Sequence, residues 1–287
     1  MVDRAGAVFE PRPPKGRSYR ADTESDGWST PRAQLRMASV RGNAHRYYGK
    51  PRQDSAAAAV HAASGTIVFA VADGVSAAEV PELGSALACE AALGAVLDRL
   101  DAGQRPVEWA AVLRDAAAAL LERGAALLDD PAPDPAKVER LLATTLVVGT
   151  ACPVPGGLDV ALSRVGDSGA WALDLHRAAY RALFAPKSAP DAEVVSNAVV
   201  PLPRCPEPAE LAGCQLTAGQ VLLVGTDGFG DPLGDGTGLV GALFARQLAT
   251  EPSAAWLAHV LDFSRETFDD DRTLIALWPV AEPGPLP

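Results

Sequence analysis

The sequence predicts one α+β domain, because apolar strand-like runs alternate with alanine-rich helical segments along most of its 287 residues. Six short runs rich in Val, Leu and Ile are bounded by turn residues and predict strands at 65–74, 144–151, 158–166, 169–175, 221–228 and 273–278. Four segments favour helices, at 84–100, 107–130, 239–249 and 253–267. Hydrophobic residues make up 48% of the chain, which is enough for a sizeable core and excludes wholesale disorder.

The two ends of the chain differ from this body. Residues 1–36 are rich in proline and charge and show no periodic pattern, which predicts a flexible basic tail. The domain is therefore predicted to span residues 37–280, followed by a short C-terminal tail at 281–287. Proline-rich pieces at 131–135, 186–190 and 201–208 are predicted as loops, and they are interpreted as parts of the same domain.

The charge of the chain limits the classes of partner that it is expected to bind. The formal net charge is −11, but residues 1–52 hold 11 Lys and Arg against 5 Asp and Glu, so the rest of the chain carries −17. A body this acidic repels nucleic acid and anionic lipid and suits divalent cations. No apolar run approaches the ~18 residues of a membrane span, and no secretory signal is visible, so a cytoplasmic location with reduced cysteines is expected.

Acidic residues recur where the predicted strands begin or end. Asp73, Asp167 and Asp227 each follow an apolar run, a cluster at 269–271 precedes the last run, and Asp54 precedes the first. Strand ends converge in space, and carboxylates brought together repel one another unless they are protonated or bind cations. Hard divalent cations such as Mg²⁺ and Mn²⁺ prefer such oxygen ligands. A single Asp-Gly pair only marks a turn. The prediction of a metal site therefore depends on all of these acids occurring in order beside apolar runs.

Six motifs recur in a family order: RGNAHRYYGKPRQDS (41–55), VADG (71–74), TTLVVG (144–149), RVGDSGAWAL (164–173), LTAGQVLLVGTDGFGD (216–231) and DDRTLIAL (270–277). Together they resemble the metal-dependent protein Ser/Thr phosphatase 2C (PPM) family in its short bacterial form, over roughly residues 37–279. The resemblance implies a four-layer α-β-β-α sandwich, with two mainly antiparallel sheets flanked by helices and a metal site at one end. It also implies hydrolysis of phosphoserine and phosphothreonine in a phosphorylated protein partner, the target of a Ser/Thr kinase.

The resemblance further implies roles for single residues around two Mn²⁺ or Mg²⁺ ions. Asp73 would bridge both ions, the Gly74 carbonyl would bind one of them, and Asp54 would ligate an ion or orient the attacking water. Water shared by the ions would then attack phosphorus in line. Asp227 and Asp270 would complete the main site. Asp167 and Asp231 would hold a weaker third ion.

The sequence departs from the family pattern in the residues expected to bind the substrate phosphate. His45 stands where an arginine commonly grips the substrate phosphate, with Arg41, Arg46 and Arg52 as substitutes, and His45 and Arg46 are the predicted phosphate-binding residues. Asp271 stands where asparagine is common, so the register within 269–271 stays open.

Three other interpretations compete with an active phosphatase. The missing arginine favours a pseudophosphatase that only binds partners. GDSGA (166–170) predicts a trypsin-like site of Ser168 and His61, which the long helices argue against. GTGLVG (236–241) matches a dinucleotide-binding pattern but does not follow its strand directly.

Overall fold

The computed structural model describes residues 2–4, 6–14, 20–185 and 200–280, which fold into two antiparallel sheets between two layers of helices. The strands are β1 (Thr23–Ser29), β2 (Ala33–Val40), β3 (Asp54–His61), β4 (Thr66–Asp73), β5 (Leu146–Val154), β6 (Gly157–Val165), β7 (Gly169–Asp174), β8 (Ala179–Ala182), β9 (Glu210–Thr217), β10 (Gln220–Gly225) and β11 (Arg272–Pro279). The helices are α1 (Asn43–Tyr48), α2 (Pro81–Asp101), α3 (Trp109–Leu128), α4 (Pro135–Leu142), α5 (Asp227–Leu233), α6 (Leu239–Gln247) and α7 (Ala254–Leu261).

The two sheets interleave early and late parts of the chain. One sheet has the order β1-β2-β11-β10-β7-β8 and the other has the order β3-β4-β5-β6-β9. Helices α2, α3 and α4 cover the second sheet, while α6 and α7 cover the first. This four-layer α-β-β-α arrangement confirms the predicted fold.

Strand β4 shows why its sequence is an apolar run rather than an alternating one. Val68 and Ala70 point toward α2 and α3, whereas Ile67, Phe69 and Val71 point into the core between the sheets. Both faces of the strand are therefore buried, and both select apolar residues. The strand ends at Asp73, where the chain leaves the sheet at the same end of the molecule as the start of β3.

All six predicted strands and all four predicted helices are present, with shifted ends. The last helix, α7, ends at Leu261 rather than at residue 267. The chain also forms elements that periodicity did not indicate, namely β1, β2, β3, β8, β9, α1, α4 and α5. The predicted loop at 201–208 contains no helix or strand, and the predicted loop at 131–135 ends where α4 begins, at residue 135. The predicted loop at 186–190 and the predicted tail at 281–287 lie outside the described residues.

The predicted boundary at residue 37 is wrong. It cuts through β2, which begins at Ala33 and pairs along its whole length with β11 on one side and from Gln34 onward with β1 on the other. Ala33 and Leu35 are fully buried between the sheets. Buried and partly exposed residues alternate over only 33–36, and prolines and charged residues surround this stretch. The strand was therefore not predicted from the sequence.

The described residues before β1 also pack against the domain. The Gly6 amide donates to the Ser264 hydroxyl at 2.8 Å, and the Arg12 amide donates to the Arg46 carbonyl at 2.9 Å. Phe9 stacks edge-on against Tyr47 of α1 with ring centroids 5.5 Å apart. The N-terminal segment thus lies along α1 and the loop after α7, instead of being a solvated tail. Within the described ranges, no helix has the length and apolar character that crossing a bilayer requires.

Replacement of Leu35 with alanine should lower the free energy of unfolding by about 2–5 kcal/mol, because it leaves a cavity between the two sheets. Ser25→Ala on the exposed edge strand β1 is the control and should change stability by less than about 0.5 kcal/mol. Chemical denaturation of both variants measures the difference. Equal stability of the two variants would mean that residues before 37 do not belong to the domain.

Candidate metal centre

Asp54 and Asp73 face each other across two neighbouring strands. Asp54 opens β3, Asp73 closes β4, and the antiparallel register makes them direct partners. Directly opposed residues share a face of the sheet, with Cβ atoms about 4.5–5.5 Å apart. Asp54 is only 1% exposed. Two carboxylates are thus held together at one end of the sandwich.

A threonine connects this pair to the other sheet. The Thr226 hydroxyl donates to the Asp54 Oδ2 atom at 2.8 Å, and the Thr226 Oγ1 atom accepts from the Thr273 amide at 3.1 Å. Thr226 is fully buried between the end of β10 and the first residue of α5, which is Asp227. The hydrogen bonds therefore fix the start of α5 next to Asp54.

Backbone contacts fix the turn after Asp73. Its carbonyl accepts from the Thr145 amide and from the Thr144 hydroxyl, each at 2.8 Å. A Cβ atom on Gly74 would lie 2.4 Å from the Pro81 carbonyl oxygen, so only glycine fits without displacing the start of α2. This close approach, and not a turn preference alone, accounts for Gly74.

Electrostatics at the centre favour a bound cation. Burial raises the pKa of Asp73 well above its ordinary value, and the carboxylates of Asp54, Asp227 and Asp270 raise it further. Burial, followed by the Asp271 carboxylate, likewise raises the pKa of Asp54. In the described part of the chain, no Lys or Arg forms an ion pair with Asp54 or Asp73. Buried carboxylates without a cationic partner match the donor set that Mg²⁺ or Mn²⁺ takes.

The structure decides the register of the acidic run at 269–271. The Asp270 side chain is 52% exposed and acts on Asp73 through its charge. Asp271 is buried, and its two carboxylate oxygens accept from the backbone amides of Gly42 at 2.6 Å and Gln53 at 2.5 Å. Within this run, Asp270 is thus the acid whose charge acts on Asp73, while Asp271 joins β11 to the segments around it.

Two cavities border the acids and share Asp227 and Asp231. The larger, of about 470 Å³, is also lined by Asp270 and by three polar residues, namely His45 of α1, Lys50 just after α1 and Ser76 of the turn after β4. The smaller, of about 290 Å³, is also lined by Asp167 and by Arg164, Trp171 and Phe184. The acidic residues that the sequence singled out thus gather at one end of the sandwich.

The phosphate assignment to Arg46 needs correction. Its guanidinium pairs with Asp22 at 2.7 Å and with Asp262 at 2.8 Å, outside both of these cavities. The other two candidate arginines are buried. Arg41 donates to the His45 carbonyl at 2.9 Å, and Arg52 pairs with Glu24 of β1.

His45 lines the larger cavity but is almost fully buried beside the acids. Its Nδ1 atom lies 2.8 Å from the Asp271 Oδ1 atom, and its Nε2 atom lies 3.8 Å from the Asp270 Oδ1 atom. Burial lowers the pKa of His45, but the two carboxylates outweigh burial and raise it above its ordinary value. A ring that faces carboxylates on both sides does not support a direct phosphate contact. Sequence reasoning missed Lys50, which lies on the cavity wall.

The two rival sites do not form. The Ser168 hydroxyl is fully buried and bonds to Thr145 at 2.8 Å, while His61 contacts Ser64 at 2.7 Å and Asp101 at 3.0 Å. No Ser-His catalytic pair therefore joins Ser168 to His61. The glycine-rich stretch 236–241 follows α5 rather than a strand, so it lacks the strand-to-helix turn of a dinucleotide site.

A model of the protein phosphatase 2C family matches residues 41–262, which is more than half of the chain. This chain therefore belongs to the protein phosphatase 2C family. No curated protein sequence matches it.

Solved structures share the fold at low sequence identity. RsbX in complex with magnesium is 12% identical, with a TM-score of 0.55, over 90% of this chain and 100% of the RsbX chain. The catalytic domain of the serine/threonine protein phosphatase PstP, in complex with two manganese ions, is 18% identical with a TM-score of 0.52, over 87% of this chain and 99% of that one. Serine/threonine phosphatase Stp1 from Staphylococcus aureus is 14% identical with a TM-score of 0.56, over 92% and 98%.

Asp73→Asn should raise the melting temperature in EDTA near neutral pH, because it removes a buried carboxylate that its neighbours repel. Since the pKa of Asp73 is raised in the folded state, the native protein binds more protons than the unfolded chain. Wild-type stability without metal should thus fall as pH rises above about 4, and the variant should show a shallower fall.

Added Mn²⁺ should raise the wild-type melting temperature and leave Asp73→Asn nearly unchanged, since ligand binding stabilises only a chain with an intact site. Asp159→Asn, on the exposed part of β6, is the control and should behave as wild type. Differential scanning fluorimetry over a pH series measures all three proteins. A wild-type melting temperature that changes with neither EDTA nor Mn²⁺ would contradict a metal centre at these acids.

Proposed function

We propose that this chain is a metal-dependent phosphatase that hydrolyses phosphoserine and phosphothreonine in proteins. The observation that carries the proposal is the facing pair of the buried Asp54 and the partly buried Asp73, which has no cationic partner among the described residues and lies beside Asp227 and Asp270. Family membership and the magnesium and manganese held by RsbX and PstP support Mn²⁺ or Mg²⁺ as the cofactor.

The proposed metal set follows the chain's own geometry. Asp73, the Gly74 carbonyl, Asp227, Asp270 and Asp54 would hold two ions. Asp167 and Asp231, which share a cavity with Asp227, would hold a weaker third ion. When bound, such ions activate water for attack on phosphorus and neutralise phosphoryl oxygens. The residues themselves set where this happens, because Thr226 and the β3–β4 register fix the carboxylates.

Lys50 is the cation that we assign to the substrate phosphate. It is exposed on the wall of the cavity that Asp227, Asp231 and Asp270 also line, and no ion pair ties it to another described residue. The nearby arginines Arg41, Arg46 and Arg52 are all engaged in the fold. A lysine ammonium binds phosphate as a point charge, so it can replace an arginine without its bidentate geometry.

The charge of the chain fits a protein substrate. A body with a formal charge of −17 outside residues 1–52 disfavours nucleic acid and anionic membranes as partners. We propose a phosphorylated cytoplasmic protein, the product of a Ser/Thr kinase, as the partner. Its phosphorylated side chain would enter the cavity of about 470 Å³.

One observation favours a second candidate function. All three arginines that could replace the family's phosphate-binding arginine are turned into the fold, which is what a pseudophosphatase with a binding role would tolerate. The cluster of buried carboxylates argues against this candidate. A site kept only for its shape gains nothing from side chains that repel one another.

The purified chain should hydrolyse p-nitrophenyl phosphate and a phosphothreonine peptide with Mn²⁺ or Mg²⁺, and EDTA should abolish turnover. Asp73→Ala should reduce turnover by roughly 100-fold or more, because it removes the acid proposed to bridge both ions. Asp159→Ala is the matched control and should keep full activity. A folded wild-type chain that binds metal without turning over either substrate would establish the pseudophosphatase instead.

Lys50→Met should raise KM for a phosphopeptide by about 10-fold or more and change kcat less, because it removes a charge-assisted contact made to substrate and transition state alike. Lys137→Met, on the exposed face of α4, is the control for the loss of one charge. Steady-state kinetics at fixed Mn²⁺ separates the two constants. An unchanged KM would assign the phosphate contact to another group.

A further inference from the structure

His45 is a buried imidazole placed between two acids of the candidate site. It is 5% exposed, and one ligand atom each of His45, Asp270 and Asp271 lies within 4.8 Å of the others. The Nδ1 atom lies 2.8 Å from the Asp271 Oδ1 atom, and the Nε2 atom, 3.8 Å from the Asp270 Oδ1 atom, forms no hydrogen bond with a described residue. Nε2 is therefore the ring nitrogen that is left to take a ligand.

Asp271 is the fixed member of this cluster. Both of its carboxylate oxygens already accept backbone amides, from Gly42 and Gln53. These hydrogen bonds hold the carboxylate in place, and it in turn sets the position of the His45 ring at Nδ1. The Nε2 atom then faces Asp270, whose side chain is half exposed in the same cavity.

This arrangement is the one that metal-binding histidines use. A ligating imidazole has a carboxylate or carbonyl beside its second nitrogen, which fixes the ring orientation. We propose that His45 is a nitrogen ligand, through Nε2, of the divalent ion that Asp270 holds, with Asp271 as its positioning residue. This inference rests on the proposed metal centre and adds a ligand type that the carboxylate set lacks.

A nitrogen ligand changes which ions the site favours. Mg²⁺ prefers oxygen ligands and dehydrates reluctantly, whereas imidazole suits first-row transition ions, whose affinities rise from Mn²⁺ through Co²⁺. His45 should therefore favour Mn²⁺ and Co²⁺ over Mg²⁺ at this position. The opposing interpretation is a protonated ring that only neutralises Asp270 and Asp271, in which case His45 would not contact a metal.

Electron spin-echo envelope modulation of the full chain loaded with Mn²⁺, at substoichiometric and saturating metal, separates the two interpretations. We expect a ¹⁴N modulation typical of imidazole in wild type. It should disappear in His45→Gln, which offers an oxygen near the same place, and in His45→Asn, which can reach Asp271 but not the ion. His176→Gln, on an exposed turn, is the control and should keep the signal.

Calorimetric titration gives a second readout that does not depend on turnover. The ratio of Kd for Mg²⁺ to Kd for Mn²⁺ should fall about 10-fold or more in His45→Gln relative to wild type and His176→Gln. Thermal melts of the variants in EDTA check that they fold.

The outcomes distinguish this inference from the proposed function. Bound Mn²⁺ with phosphatase turnover but no ¹⁴N modulation, or an unchanged selectivity ratio in His45→Gln, would overturn the role of His45 alone. A folded chain that binds no Mn²⁺ and turns over no substrate would overturn both.

Discussion

The molecule depends on holding two like charges against each other. Asp54 and Asp73 occupy opposite positions in the β3–β4 ladder, and a shift of one residue in that register would send one of them to the other face of the sheet. The register is set by β4, whose side chains are buried on both faces in two separate apolar cores. Hydrophobic packing thus imposes a repulsion that a divalent cation would relieve, and this connects the fold to the proposed chemistry.

A second buried acid holds the surroundings of that pair in place. Asp271 accepts the backbone amides of Gly42 and Gln53, so it joins the start of β11 to the segments before α1 and β3. Its neighbour Asp270 is half exposed and lines the larger cavity. One short acidic run therefore supplies both a carboxylate that joins parts of the fold and a carboxylate on the wall of the cavity. An asparagine at 271 would retain the shape but not the charge that His45 faces.

The arginines near the site also form contacts within the fold. Arg52 is fully buried against Glu24, and Arg46 bridges Asp22 to Asp262, so both strengthen the attachment of the N-terminal hairpin and the loop after α7. Isolated surface ion pairs contribute little to stability, but the Arg52 side chain is fully buried, so its replacement would remove packing as well as the ion pair with Glu24. The N-terminal region is thereby part of the domain, and the cavity keeps a lysine, Lys50, as its exposed cation.

The sequence by itself determined the strands and helices with strong periodicity, the order of the acids and the family, because these depend on local patterns and on spacing along the chain. It could not find β2 or the hairpin that β2 forms with β1, since β2 pairs with β11, which lies more than 230 positions away in sequence. It also left open which acid of 269–271 faces the site and which cation remains in the cavity. Only the tertiary structure decided these points, because the orientation of Asp270, the burial of Asp271 and the ion pairs of Arg46 depend on partners that are distant in sequence.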